Sequence, residues 1–276
     1  PDGSVPGNLL CLPEVIISHG LTSMMVFEDL DRAKLRVAQT LETNPRDLEA
    51  LLARAEIAQQ EGDLDAAIEG FRQVVAVTDD LAPKTKLLDL LLAGLQADFP
   101  AYESDMGEIV ALLDDVQPLN TESVADATPP AAVTPDVIDR EMAALSQPDR
   151  RAVFLRSAGQ GYAAQGNVAA ALKAYLEYAE ADRGDWFDNL QSNWGIRRDR
   201  WFAARVAELI RSASPEDLAL INRQAERELE AALNPKQAAG LRRFVTRYSG
   251  HPLAEKALRA MGDATAEGVR PLETEF

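Results

Sequence analysis

The chain has 276 residues, 46% hydrophobic and 26% charged, a composition that buries a sizeable core in one extended or two compact domains. Its 28 Lys and Arg face 45 Asp and Glu for a formal charge of -17, and the excess lies in one half: residues 1–140 hold 9 basic and 26 acidic side chains, residues 141–276 hold 19 of each. Such a field repels phosphate backbones and argues against nucleic acid as a partner; it draws basic proteins or divalent cations to the first half, or serves solubility alone.

One cysteine, Cys11, cannot close an internal disulfide, and with only His19 and His251 beside it the chain lacks ligands for a zinc or iron site. No metal and no cofactor is expected. No apolar run approaches the ~20 residues needed to cross a bilayer, so membrane insertion is not expected. The amino end does not read as a signal peptide, and a start at Pro1 rather than Met suggests a processed or excised piece of a longer protein.

Asn8–Leu12, Val15–Ser18 and Ser23–Phe27 are short apolar or β-branched runs split by Pro13-Glu14 and His19-Gly20, which predicts a short β-hairpin segment over residues 1–27. From Glu28 the period becomes helical, with Leu30, Ala33, Val37 and Leu41 on one stripe that closes at Asn44-Pro45. That pair should also start the next helix, with Asn44 as its cap, Pro45 in its first turn and Asp47 at the positive end of its dipole. This helix runs to about Gln60, Gly62 supplies a left-handed turn, and Asp63 to Val77 returns antiparallel. Thr85–Ala97 and Tyr102–Leu113 form a degenerate third hairpin broken at Phe99-Pro100.

Residues 117–136, with Pro118, Pro129, Pro130 and Pro135, read as a linker between an acidic helical segment, 28–116, and a second one, 137–262. The second segment predicts helices at Val137–Leu145 and Asp149–Ala164, a turn at Gly166-Asn167 and a helix from Val168 to about Glu180. Asp182–Asn193 reads as an irregular loop with Trp186 and Phe187, Trp194 following, and helix resumes near Asp199. Ser214-Pro215-Glu216-Asp217 starts a helix carrying Leu218, Ile221, Ala225, Leu229 and Leu233 on one face. Asn234-Pro235 begins another to about Tyr248, Gly250 stops it, Pro252 opens a last helix to about Met261, and 263–276 reads as a polar tail.

Leu48–Asp80 and Ala152–Arg183 fit one template: Leu51, Ala55, Gly62, Ala67 and Phe71 correspond to Leu155, Gly159, Gly166, Ala171 and Tyr175. The pattern resembles the tetratricopeptide repeat, whose small residues let paired helices approach and whose aromatic fills the space between repeats. Tyr162 takes the family's further aromatic position, where the first unit has Ala58. Both units lack the closing proline, and Val74 and Tyr178 stand where the family has a small residue. The resemblance implies an all-α, antiparallel helix-hairpin superhelix in two segments, acting as a non-enzymatic protein-interaction or assembly scaffold. It also implies a peptide groove on the inner face of each first helix: Glu49, Leu52, Glu56, Gln59 and Gln60, then Val153, Arg156, Gln160, Ala163 and Ala164. The first set would suit a basic or amide-rich extended peptide.

Val26-Phe27-Glu28 and the strands before it are similar to the last strands of a quinoprotein-type β-propeller blade. That similarity implies an alternative, a structural or regulatory arm of a larger bacterial cell-envelope protein in an extracytoplasmic location.

Other clusters read as structural. Gly159-Gln-Gly161 with Gly166 sits along a helix rather than after a strand, so it serves close packing, not nucleotide binding. Glu61, Asp63 and Asp65 surround a turn without the twelve-residue calcium loop. Arg197, Arg198 and Arg200 beside Trp201 could bind a phosphate or acidic peptide, but Asp199 and Glu208 are placed to neutralise them. Two distant histidines leave Ser and Thr without a companion, so no catalytic residue is expected.

Overall fold

The computed structural model describes residues 8–12, 15–19, 24–116, 149–180, 187–191, 194–234 and 238–268. The expected linker, the helix expected at Val137–Leu145 and Trp186 lie outside them. The fold is all-α, a series of antiparallel helix hairpins with two small antiparallel sheets. It divides into two compact units, Pro1–Ala97 with Ser104–Ala125, and Asp98–Glu103 with Asp126–Phe276.

In the first unit, the strands expected at the amino end, β1 (Asn8–Cys11), β2 (Val15–His19) and β3 (Met24–Glu28), pair with each other as a three-stranded antiparallel meander. Leu10 lies opposite Ile17, and Ile17 opposite Val26. Helix α1 (Leu30–Thr43) starts on Asp29, whose carboxylate accepts from the N–H groups of Asp31 and Arg32. It ends on Asn44.

Helix α2 (Leu48–Glu61) begins later than expected. The Asn44 side chain accepts from the Arg46 N–H at 3.3 Å and so belongs to the turn, while Asp47 accepts from Ala50 N–H at 3.0 Å and caps the helix. A carboxylate at the positive end of the dipole is the better cap of the two. Gly62 then turns at φ 77°, and α3 (Leu64–Val75) starts on Asp63. The α2–α3 seam closes on Leu51, Ala55, Ala67, Phe71 and Val74, all buried. The backbones approach so closely that a Cβ on Gly70 would stand 2.9 Å from Ala55 Cα.

Helix α4 (Leu81–Ala97) pairs with α6 (Met106–Val116), enclosing Leu87, Leu88, Leu91, Leu95, Ile109 and Leu113. At roughly 2 kcal/mol per buried aliphatic side chain, this cluster outweighs any single polar contact of the unit. Arg72 on α3 donates to Glu108 at 2.7 and 3.0 Å and to Asp105 at 2.7 Å, fastening α3 to the α6 end of the second hairpin. The bond to Glu108, foremost, raises an arginine pKa that is already high.

The expected break at Phe99-Pro100 is a four-residue helix, α5 (Phe99–Tyr102), capped by Asp98 with Pro100 in its first turn. It belongs to the second unit, where the Phe99 ring meets Tyr162 edge-on at 5.1 Å and fills the space left by Gly161 on α7 (Arg150–Ala164). Asp149 caps α7, accepting from Ala152 N–H at 3.0 Å. Gly166 turns at φ 78°, and α8 (Val168–Glu180) returns.

Where an irregular loop was expected, β4 (Phe187–Gln191) and β5 (Trp194–Arg197) pair as a hairpin. Asp188 and Asn189 dilute the apolar alternation that would mark such strands. Helix α9 (Arg198–Ser212) follows, then α10 (Pro215–Leu233) on its Ser214 cap, with Ile221, Ala225 and Leu229 buried as the spacing predicts. Helix α11 (Ala238–Arg247) is the next.

Gly250 does not stop it by a left-handed turn; among the described residues only Gly62 and Gly166 have positive φ. Instead His251 N–H donates to the Tyr248 carbonyl at 2.9 Å, and the ring Nδ1 accepts from Leu253 N–H at 3.2 Å to open α12 (Leu253–Gly268). This helix passes the expected end at Met261, so residues 263–268 are helical rather than tail. Ala264 and Ala266 favour that extension.

Aromatic rings fill the second unit. Trp201 stands edge-on to Tyr175 at 5.2 Å and Tyr178 at 4.9 Å, and a Cβ on Gly159 would lie 2.3 Å from Tyr175. Arg247, 7% exposed, donates to the Ala179 carbonyl at 2.9 Å and Glu180 at 3.3 Å, faces Glu228 at 3.7 Å and covers the Phe202 ring. Tyr248 donates to Glu228 at 2.7 Å, and burial holds its phenol well above the ordinary range.

Candidate peptide-binding surfaces

Helix α2 presents two different surfaces. Its buried side, Leu51 and Ala55, faces α3, while Glu49, Glu56, Gln59 and Gln60 are exposed and Leu52 is half-buried. Glu49 and Glu56 are two turns apart, hence on one side of the helix at about 10 Å along its axis. Neither carboxylate has a hydrogen bond or ion pair among the described residues. The five positions therefore form one strip, exposed except at the half-buried Leu52, with two unneutralised carboxylates.

On another side of α2 lies a groove of about 540 Å³ that the sequence pattern did not disclose. Val37, Ala38 and Leu41 of α1, Ile57 and Ala58 of α2 and Ala66 of α3 supply apolar lining; an ion pair between Lys34 and Glu61 stands at its edge. None of the five strip residues lines it. Its signal was present in the α1 stripe, Val37 and Leu41, which helix packing alone was expected to absorb.

The corresponding positions of the second unit do not make an open face. Arg156 is 9% exposed and Val153 is half-buried; Ser157 donates back to the Val153 carbonyl at 2.9 Å. Gln160 and Ala164 remain exposed and Ala163 half-buried. Arg156 is withdrawn as a groove residue because α7 is packed over most of its circumference, from Phe154 through Gly159.

Of the other clusters, Trp201, named with the arginines as a phosphate or acidic-peptide site, is buried between Tyr175 and Tyr178. Glu208 pairs with Arg205 at 2.7 Å. At the first turn, Asp63 caps α3 and Glu61 pairs with Lys34. Among the described residues no group of three or more His, Cys, Asp or Glu is placed to hold a metal ion. Nor, among the described residues, is any helix long and apolar enough to cross a membrane.

Neither a protein-family model nor a curated protein matches the chain. Among solved structures it is similar to PilW, described as a widely conserved type IV pilus biogenesis factor, at 16% identity over 86% of this chain and 87% of that one, with a TM-score of 0.28. A likeness at that score carries no argument about fold or function. The helical repeat is carried by the two hairpins, α2–α3 and α7–α8.

Proposed function

We propose that this protein is a non-enzymatic interaction or assembly scaffold that takes an extended basic or amide-rich peptide along α2. The observation that supports this reading is the exposed strip with two unpaired carboxylates two turns apart, Glu49 and Glu56, followed by the amides of Gln59 and Gln60. Carboxylates left without partners on a helix otherwise packed against α3 are positioned to meet cations, and the amides to meet peptide groups.

The test is fluorescence anisotropy of the full chain with a labelled Lys/Asn peptide and its Gln/Asn counterpart, repeated with Glu49→Lys/Glu56→Lys. Both positions are exposed, so the fold should survive. Two solvent-exposed ion pairs and their reversal are worth roughly tenfold in affinity, with marked weakening by salt. Equal binding of both peptides, or of both proteins, overturns the proposal.

A further inference from the structure

The second unit carries a groove of opposite character, and we infer that it is a docking site for an acidic amphipathic helix of a partner protein. The groove, about 390 Å³, runs between α8 and α10. Leu172, Leu176 and Leu220 give it an apolar wall, and Lys173, Arg223 and Arg227 bring three cations to it.

The cations are differently engaged. Lys173 lies 3.9 Å from Glu177, a loose pair between two exposed side chains on one helix face. Arg223 and Arg227 are exposed and have neither an ion pair nor a side-chain hydrogen bond among the described residues. Their nearest acids along α10, Glu226 and Glu230, are exposed and form no ion pair with them. The other polar side chains of the lining are Glu177 itself, one carboxylate beside the three cations, and Gln224, which donates to Glu228 at 3.1 Å. The groove therefore keeps two free guanidinium groups in a chain whose formal charge is -17.

Charge complementarity selects the occupant. Arg223 and Arg227 are four residues apart, one helical turn, and present two forks that match carboxylates at the same interval on an opposing helix. Aliphatic side chains flanking those carboxylates would enter against Leu172, Leu176 and Leu220, the helix-in-groove mode of recognition. A volume in the lower part of the ~300–1,000 Å³ range of small-ligand pockets accommodates a few such side chains, not a whole domain. The site is independent of the α2 strip, since its charge and its unit are different.

The probe is a labelled peptide of about 15 residues, long enough to be helical, with Glu at i and i+4 beside Leu, and a twin with those Glu replaced by Gln. Anisotropy with the full chain should show saturable, salt-sensitive binding of the Glu peptide alone. Arg223→Glu/Arg227→Glu should weaken it by on the order of tenfold. Leu176→Ser should weaken it as well, and Glu49→Lys/Glu56→Lys should leave it unchanged. Circular dichroism checks that the exposed substitutions keep the fold. Equal affinity for both peptides, no effect of the arginine reversal, or no binding at 100-fold excess of protein overturns the inference. So does concentration-dependent self-association that the arginine reversal abolishes, which would assign the groove to a second copy of the chain.

Discussion

The two units answer the same packing problem with different materials. Of the 16 Phe, Trp and Tyr residues, only Phe27 and Phe71 belong to the first unit; every Trp and every Tyr belongs to the second. The first unit brings backbone close to backbone at Ala55 and Gly70 and fills its interior with leucine. The second keeps glycine at the matching position of its template, Gly159, and inserts the Tyr175 ring. The polar anchors differ in the same sense: the Arg72 side chain is 33% exposed beside Asp105 and Glu108, whereas Arg247 is 7% exposed. An acidic surface can hold its ion pairs in solvent, while an aromatic interior makes a cation depend on every partner it has.

The largest expected effect follows from that contrast. Arg247→Met leaves Glu228 and the Ala179 carbonyl without their cation in a mostly buried setting and should cost about 3 kcal/mol, whereas Arg72→Met should cost about 1 kcal/mol because solvent replaces much of what is lost. Urea unfolding measures both, with tryptophan fluorescence reporting the second unit alone. Equal losses would break the contrast.

Next come the close approaches. Gly159→Ala and Gly70→Ala should each cost about 1–3 kcal/mol through overpacking. They should differ in rescue. At Gly159 the obstacle is the Tyr175 ring, so Tyr175→Leu should recover part of the loss; at Gly70 it is the Ala55 backbone as well as its Cβ, at 2.9 and 2.8 Å, and Ala55→Gly should recover less. Thermal melts of the single and double variants decide this.

A smaller pair tests where the units are alike. Gly62 and Gly166 turn at φ 77° and 78°, and nothing lies within 4 Å of a Cβ at either. Replacement by Ala should cost about 1 kcal/mol at both, set by the left-handed backbone alone. Unequal losses, read from the same melts, would mean that the two turns are not equivalent.

These turns also mark how far the sequence could be read. Gly62, Gly166, Asp149 and Ser214 act through bonds a few residues long, so their signals were local and their helices end or start as expected. The start of α2 was ambiguous because Asn44 and Asp47 can both cap, and the bond from Arg46 N–H to Asn44 decides between them. Phe99 read as a break because its partner, Gly161, is far along the chain. For the binding surfaces, the helical period placed the α2 strip, but it could not show that Arg156 would be covered, nor that α1 and α2 leave a groove between them; both depend on neighbouring helices.

The smallest expected effect concerns His251, whose ring carries a role that a glycine stop was expected to fill. Nδ1 accepts from Leu253 N–H, so the proton must sit on Nε2, which donates to Asn222 Oδ1 at 2.8 Å. A protonated ring cannot keep the bond from Leu253. Burial also lowers the folded pKa below the usual 6.5, and the Glu226 carboxylate offsets this in part. Between the folded and unfolded pKa values the unfolded chain binds more protons, so stability rises with pH. This contribution is complete above about 6.5 and is lost as pH falls toward the lower folded value. Urea midpoints read by tryptophan fluorescence should therefore decline from neutral pH downward in the native protein. His251→Asn, which keeps an acceptor but does not titrate there, should flatten that part of the profile, and an unchanged slope would assign the decline to the carboxylates instead.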